Sequence, residues 1–244
     1  MYNIKLVYQY DGSKFYGFQR QPKERTVQGE IEKILRNVLN ENIDLISSGR
    51  TDRGVHAFMQ VSNFFTTNRI PLENLKRVLK KKLSNDILID EITYENEEFH
   101  ARFSAKKRAY IYIFKEEAKK TPFESNYLMW IKEKLNREKF LNILNPLIGR
   151  HDFEGFRKIG CGANNTFREI YNIDFYEKEG KQYLYIEANA FLKSMVRIIV
   201  GSALMIYFGQ RDENYIENKI KNPDKNSEKI LAEPQALYLY KVEY

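Results

Sequence analysis

From Ile4 to Tyr10 apolar and polar residues alternate with a period of two: Ile4, Leu6, Tyr8 and Tyr10 share one side, Lys5, Val7 and Gln9 the other. That alternation predicts a strand ending at Asp11-Gly12. The polar, aromatic, glycine-bearing run from Asp11 to Gln21 reads as a loop. From Thr26 the spacing changes, and Val27, Ile31, Ile34, Leu35 and Val38 recur at helical intervals behind a capping threonine. Ile43, Leu45 and Ser47 then alternate with Asp44 and Ile46, and Val55, Ala57, Met59 and Val61 with His56, Phe58 and Gln60. Two strands therefore flank the segment between them. A second helix opens near Pro71 and turns Leu72, Leu75, Val78, Leu79 and Leu83 inward, and Ile87 to Tyr94 is strand again. Strand, helix, strand, strand, helix, strand is the order of a split βαβ domain, an α+β arrangement with an antiparallel sheet and its helices on one face.

The second half repeats that order without repeating the sequence. Tyr110 to Phe114 predicts a strand, and Asn136 caps a helix that buries Phe140, Leu144 and Leu147 and ends or kinks at Pro146. Phe167 to Tyr176 and Tyr183 to Ala190 form strands about a Glu179-Gly180 turn. Met195 to Phe208 is the most apolar helix, Asn222 to Lys229 a mobile surface loop, and Leu237 to Val242 the closing strand. The expected organisation is two pseudo-repeated βαββαβ, ferredoxin-like domains, residues 1–104 and 105–244, divided between Phe103 and Lys107.

Composition narrows the partners. With 43% hydrophobic and 30% charged residues, the chain reads as a soluble globular protein. Its net charge of +7 favours a polyanion, nucleic acid before membrane. No apolar run approaches the length of a membrane span, and Met1 to Lys5 leads directly into strand alternation with no signal-peptide core. Cys161 is the only cysteine, so no intrachain disulfide forms, which suits a reducing cytoplasm. His56, His100 and His151 lie far apart without ligand spacing, so no metal is expected. Phosphate-binding and dinucleotide-binding glycine loops are absent too, and no cofactor is expected.

Four features carry candidate chemistry. Between the first pair of flanking strands, Ser48-Gly49-Arg50-Thr51-Asp52-Arg53-Gly54-Val55-His56-Ala57 packs one acid between two arginines and two glycines. Gly49 and Gly54 permit a tight path, and Arg50 and Arg53 are near enough in sequence to favour an ionised Asp52. Taken alone this is a hairpin with a surface ion pair. Second, Arg197 sits within Met195-Val196-Arg197-Ile198-Ile199-Val200, where a guanidinium either reaches out to water or pairs with an acid. Third, Tyr110 follows Phe99-His100-Ala101-Arg102-Phe103-Ser104-Ala105, and a strand tyrosine is ordinarily packing. Fourth, Lys80-Lys81-Lys82, Lys106-Lys107-Arg108, Lys14, Arg20, Lys23 and Arg25 form basic surface, either a solvated face or a set of phosphate contacts.

These strings, with Tyr10-Asp11-Gly12, Tyr16-Gly17-Phe18-Gln19-Arg20-Gln21, Thr26-Val27-Gln28, and Ala188-Asn189-Ala190-Phe191 ahead of Met195-Val196-Arg197, resemble the tRNA pseudouridine synthase A family nearly end to end. His151-Asp152-Phe153 also fits, whereas Pro234-Gln235-Ala236-Leu237 is one residue shorter than the family's tail motif and lacks its glycine. The resemblance implies the pseudouridine synthase fold, a cytoplasmic homodimer, tRNA as partner, and uridines 38, 39 and 40 of the anticodon stem-loop as targets. It implies Asp52 as catalytic nucleophile, Arg197 as its ion-pair partner from the other domain, and Tyr110 against the flipped base. Arg50, His56 and Arg102 become further substrate contacts, and Lys14, Arg20, Lys106, Lys107 and Arg108 contacts to the RNA backbone. Three readings compete with it: a non-catalytic RNA-binding or RNA-folding protein, a paralogue with a different RNA target, and a nucleoside or glycoside hydrolase. Ordinary glycoside hydrolysis uses two cooperating carboxylates, and the stretch around Asp52 embeds one.

Overall fold

In order along the chain, the strands and helices are β1 (Tyr2–Tyr10), α1 (Val27–Leu39), β2 (Ile46–Ser47), β3 (His56–Thr66), α2 (Leu72–Lys82), β4 (Ile87–Glu95), β5 (Lys107–Glu116), β6 (Met129–Ile131), α3 (Arg137–Leu144), β7 (Gly149–Asp152), β8 (Phe167–Lys178), β9 (Lys181–Ala188), α4 (Met195–Tyr207), α5 (Tyr215–Lys221) and β10 (Leu237–Glu243). This computed structural model describes residues 1–160 and 165–244, so Cys161 lies outside the described residues. The chain divides into two units, one of Met1–Lys106 with Tyr238–Tyr244, the other of Lys107–Leu237.

The first unit has the expected α+β order. β1 pairs antiparallel with β3 and with β4, and β2 adds antiparallel to the far edge of β3. Thr26 caps α1, its hydroxyl accepting from the Gly29 amide at 3.3 Å. Val27, Ile31 and Leu35 of α1 and Leu75 and Leu79 of α2 are buried, as are Ile4, Leu6 and Tyr8 of β1. Two details depart from the sequence reading. β2 is only two residues long, because Ile43 and Leu45 are buried without strand pairing. And β10, expected as the closing strand of the second domain, lies parallel to β3, with Tyr238 beside His56 and Leu239 beside Ala57, so that Tyr238–Tyr244 belong to the first unit. A parallel pair needs a long crossover, and here nearly the whole second unit separates the two strands.

Glu32 explains the short β2. It lies fully buried on α1, accepting from the Leu45 amide at 2.9 Å and from Gln28 Nε2 at 2.8 Å, with the Arg20 guanidinium on its other oxygen. The chain entering β2 thus hydrogen-bonds to a helix side chain before it reaches a strand neighbour.

In the second unit β5 pairs antiparallel with β9, β9 with β8, and β8 with β7, while β6 runs parallel to β5. The β8–β9 hairpin closes on Glu179 and Gly180, both with positive φ (51° and 71°), the two-residue turn that matches strand twist. Asn136 caps α3, accepting from the Lys139 amide at 2.9 Å, and Pro146 ends that helix in a single tight turn. Sequence periodicity missed β6, β7 and α5, which are short.

The Asn222–Lys229 loop, expected to be mobile, is anchored at its end. Lys229 donates to the Gly155 carbonyl at 2.8 Å and to Ser227 Oγ at 2.8 Å. Beside it Lys219 of α5 is buried, 5% exposed, donating to the Glu228 carbonyl and standing 5.3 Å from the Phe156 ring centroid. Burial, with repulsion from Lys229, pulls its pKa down to about 8 from the ordinary 10.5. Between those values the unfolded chain holds the proton and the folded chain has released it, so stability rises with pH through that window. In thermal melts followed by circular dichroism, Lys219→Met is expected to remove this rise. Its midpoint, measured relative to wild type, should fall steadily from about pH 8 upward; a constant difference would count against the buried ammonium.

Candidate active site

Asp52 lies half-buried in the turn that leads into β3. The Val55 amide donates to the Asp52 carbonyl at 3.2 Å, and Gly54 closes the turn with φ 80°. Gly49, read as a second backbone requirement, is not one: its φ is not positive, and a Cβ there would meet nothing within 4 Å.

What holds this turn is the loop after β1. Gly12 packs against it so closely that a Cβ would stand 2.0 Å from the Val55 carbonyl oxygen. The Phe18 amide donates to the Thr51 carbonyl at 3.1 Å, and the Tyr10 and Thr51 hydroxyls meet at 2.8 Å. Phe15 and Phe18 anchor the loop, each 1% exposed. Asp86 ties down its two ends, accepting from Lys14 and from Arg25, each at 3.0 Å. Although burial would raise the Asp86 pKa, these two cations outweigh it and hold the carboxyl below its ordinary range.

Around Asp52 the residues expected to touch substrate occupy distinct environments. His56 is buried, and its Nδ1 lies 3.0 Å from the Gly12 amide and 3.2 Å from Asp11 Oδ1. The Gly12 amide contact pins the ring against the loop after β1. Arg53 lays its guanidinium over Tyr16, 4.0 Å from the ring centroid, and Arg50 is exposed. Arg102 is exposed, 5.4 Å from the Phe103 ring, which in turn stacks on His100 at 4.3 Å.

The second unit carries Tyr110 and Arg197. Tyr110, on β5 opposite Ile186 of β9, meets the Phe191 ring edge-to-face at 5.0 Å and 86°. Phe191 owes its position to Asn189, whose side-chain oxygen accepts from the Glu169 and Ala190 amides at 3.1 and 2.7 Å. The structure therefore brings the Tyr110 segment and the Ala188–Phe191 segment together. Arg197, half-buried in the first turn of α4, donates through Nε to the Ala232 carbonyl at 2.9 Å, and its own carbonyl accepts from the Ala232 amide at 3.0 Å. Tyr112 grips the next residue, donating to the Glu233 carbonyl at 2.8 Å. At Gly201, one turn further along α4, a Cβ would lie 2.3 Å from the Ile230 carbonyl oxygen. Arg197 is thus fixed at its base by residues 230–233.

Of the cations assigned to the RNA backbone, several already have partners. Arg20 bridges Glu32 and Asp44, hydrogen bonds that raise its pKa further. Lys14 pairs with Asp86, and Lys107 with Glu187 at 3.2 Å. Arg108 is 9% exposed and donates to the Asn189 carbonyl at 2.9 Å, so it also steadies the segment holding Phe191. Lys106 is exposed.

A half-buried carboxylate on a braced turn can act as a nucleophile toward a sugar or base held above it. The chain matches the model of the family described as tRNA pseudouridine synthase over residues 6–104 and 143–244. It belongs to the tRNA pseudouridine synthase family. It is 38% identical over 244 residues to a Thermoanaerobacter sp. (strain X514) protein named tRNA pseudouridine synthase A, covering all of both chains. A Dictyoglomus turgidum protein of that name is 39% identical over 246 residues, and Bacillus cereus (strain ATCC 14579) tRNA pseudouridine synthase A 2 is 36% identical over 245, again with full coverage of both. Among solved structures, a chain of a Cbf5-Nop10-Gar1 complex overlaps 83% of this chain and 44% of its own length, at TM-score 0.39 and 11% identity, a likeness too slight to bear on function.

As a pseudouridine synthase the chain is an isomerase, and isomerisation needs neither an oxidant nor a second substrate. Among the described residues, no group of three or more His, Cys, Asp or Glu side chains could hold a metal ion, and no helix is long and apolar enough to cross a membrane. Sequence reasoning passed over Tyr16, Glu32, Asn189 and Phe191, which position the loop and the strand ends carrying Asp52 and Tyr110. Tyr16, Asn189 and Phe191 lay within matched strings; Glu32 showed only as a polar position on an apolar helix.

Proposed function

We propose that this chain converts uridine to pseudouridine in the anticodon stem-loop of tRNA, at positions 38, 39 and 40, working as a cytoplasmic homodimer. The N1–C1′ glycosidic bond breaks, the uracil turns in place, and C5 bonds to C1′. C5 gives up its proton, N1 gains one, and no other atom enters or leaves. Asp52 initiates this as the nucleophile, Arg197 is its ion-pair partner, and Tyr110 lies against the flipped base. Arg50 and Arg102, both exposed, contact the surrounding nucleotide, the buried His56 supports the turn from behind rather than touching substrate as expected, and Lys106 offers a phosphate contact.

The observation that carries the reading is the bracing of the Asp52 turn. A loop packed within van der Waals contact of Val55 and hydrogen-bonded to Thr51 holds one acid in one place, which nucleophilic attack needs and nonspecific RNA binding does not. The test is tritium release from a tRNA transcript made with C5-tritiated uridine. Release that stops when positions 38, 39 and 40 are changed to cytidine is the expected result. Release that survives that change would move the target elsewhere in the RNA, and tight binding with no release would favour a non-catalytic RNA-binding protein.

A further inference from the structure

Three aromatic rings form a column on the first unit. His56 stacks on Tyr238 at 4.6 Å and 19°, and Tyr238 stacks on Phe58 at 4.8 Å and 12°. The column follows from register. Tyr238 lies beside His56 in the β3–β10 pair, and Phe58 is two residues further along β3, on the same face. Tyr240, two residues beyond Tyr238, approaches Phe58 edge-to-face at 6.3 Å and 89°.

The column has a rooted end and an open end. His56 is 2% exposed and is held by the Gly12 amide at the turn that carries Asp52. Tyr238 is 7% exposed, enclosed between its two neighbours. Phe58, by contrast, keeps 46% exposure and Tyr240 43%. One face of the Phe58 ring is covered by a nearly parallel ring, so a further flat ring placed against it would extend the column at the same spacing.

We propose that Phe58, edged by Tyr240, is a stacking shelf for one unpaired base of the RNA substrate, next to the nucleotide that enters the site. This rests on the reading that the substrate is a folded RNA. Unpaired loop bases that have lost a stacking neighbour recover that interaction on an aromatic face, and every base has a π-face to offer. Extracting a target uridine from an anticodon loop strips its neighbour of such a partner, and the rooted end of the column lies at the turn where that uridine is to react. Charge complementarity selects nucleic acid over an apolar partner: the chain carries +7, and Arg50 and Arg53 of that turn are exposed.

The experiment uses the full chain and an anticodon-arm RNA in three variants, Phe58→Ala, Phe58→Leu and Phe58→Trp. Each is measured for RNA dissociation constant, for single-turnover tritium release at saturating RNA, and for mass in solution. Phe58→Ala and Phe58→Leu are expected to weaken binding by roughly tenfold, the weight of one stacked base, with the saturated rate within about threefold of wild type. Phe58→Trp should restore wild-type affinity, and 2-aminopurine placed at one loop position should be quenched by wild type and Phe58→Trp alone. Wild-type affinity in Phe58→Leu would overturn the shelf, because leucine keeps the bulk and loses the π-face. A changed oligomeric state in Phe58→Ala would overturn it too, by making a second copy the occupant. Should wild type bind the anticodon-arm RNA without releasing tritium, the anticodon-target reading fails, while the binding series still decides the shelf.

Discussion

Asp52→Asn is expected to abolish tritium release, by on the order of 10³-fold or more, while RNA affinity stays within about twofold of wild type. Asparagine is nearly isosteric with aspartate, and the hydrogen bond that shapes the turn, Val55 amide to residue 52 carbonyl, belongs to the backbone. The bracing contacts from Gly12, Tyr10 and Phe18 described above are made to Val55 and Thr51. The substitution therefore removes a carboxylate that can attack carbon and puts an amide that cannot in the same place. Binding should hold or tighten slightly, since the lost negative charge repelled the phosphates. A rate above about a tenth of wild type would remove Asp52 from the centre of the reaction. A large loss of affinity would instead make Asp52 a binding residue.

The sequence was most informative where the physics is local. Thr26 and Asn136 announce helix starts because a cap depends on residues three positions away, and both caps are there at hydrogen-bonding distance. The Glu179-Gly180 turn was legible for the same reason. The turn around Asp52 was legible as chemistry, through its likeness to a family string, but not as mechanics. Nothing near Asp52 in sequence says that Gly12 and Phe18 hold it, or that Gly54 and not Gly49 is the strained position. Glu32 was invisible because periodicity assigns a glutamate to the wet face, and its burial depends on an amide at Leu45 and a guanidinium at Arg20. The aromatic column was beyond reach altogether. It exists because β10 joins β3 in parallel with Tyr238 beside His56, a register between opposite ends of the chain.

Gly12→Ala tests the mechanics directly, and its effect should rival that of losing the nucleophile. An added Cβ would meet the Val55 carbonyl oxygen at 2.0 Å, the carbonyl carbon at 2.5 Å and the amide nitrogen at 3.1 Å. All three are backbone atoms, so no side chain can swing aside. Either the loop after β1 lifts away, breaking the Gly12 amide contact to His56, or Val55 retreats and takes the Asp52 turn with it. The loop is also held by Asp86 and by two buried phenylalanines, which makes both movements costly. Overpacking of this kind costs about 3 kcal/mol, and a displacement of about 1 Å at a reacting group can cost about 10²-fold in rate. Urea denaturation and single-turnover release should therefore both report a loss. Gly49→Ala is the stability control: its Cβ would point into open space at ordinary φ, so its unfolding midpoint should match or slightly exceed wild type. Equal stability for Gly12→Ala and Gly49→Ala would mean that the turn yields freely. The bracing would then not be what holds Asp52 in place.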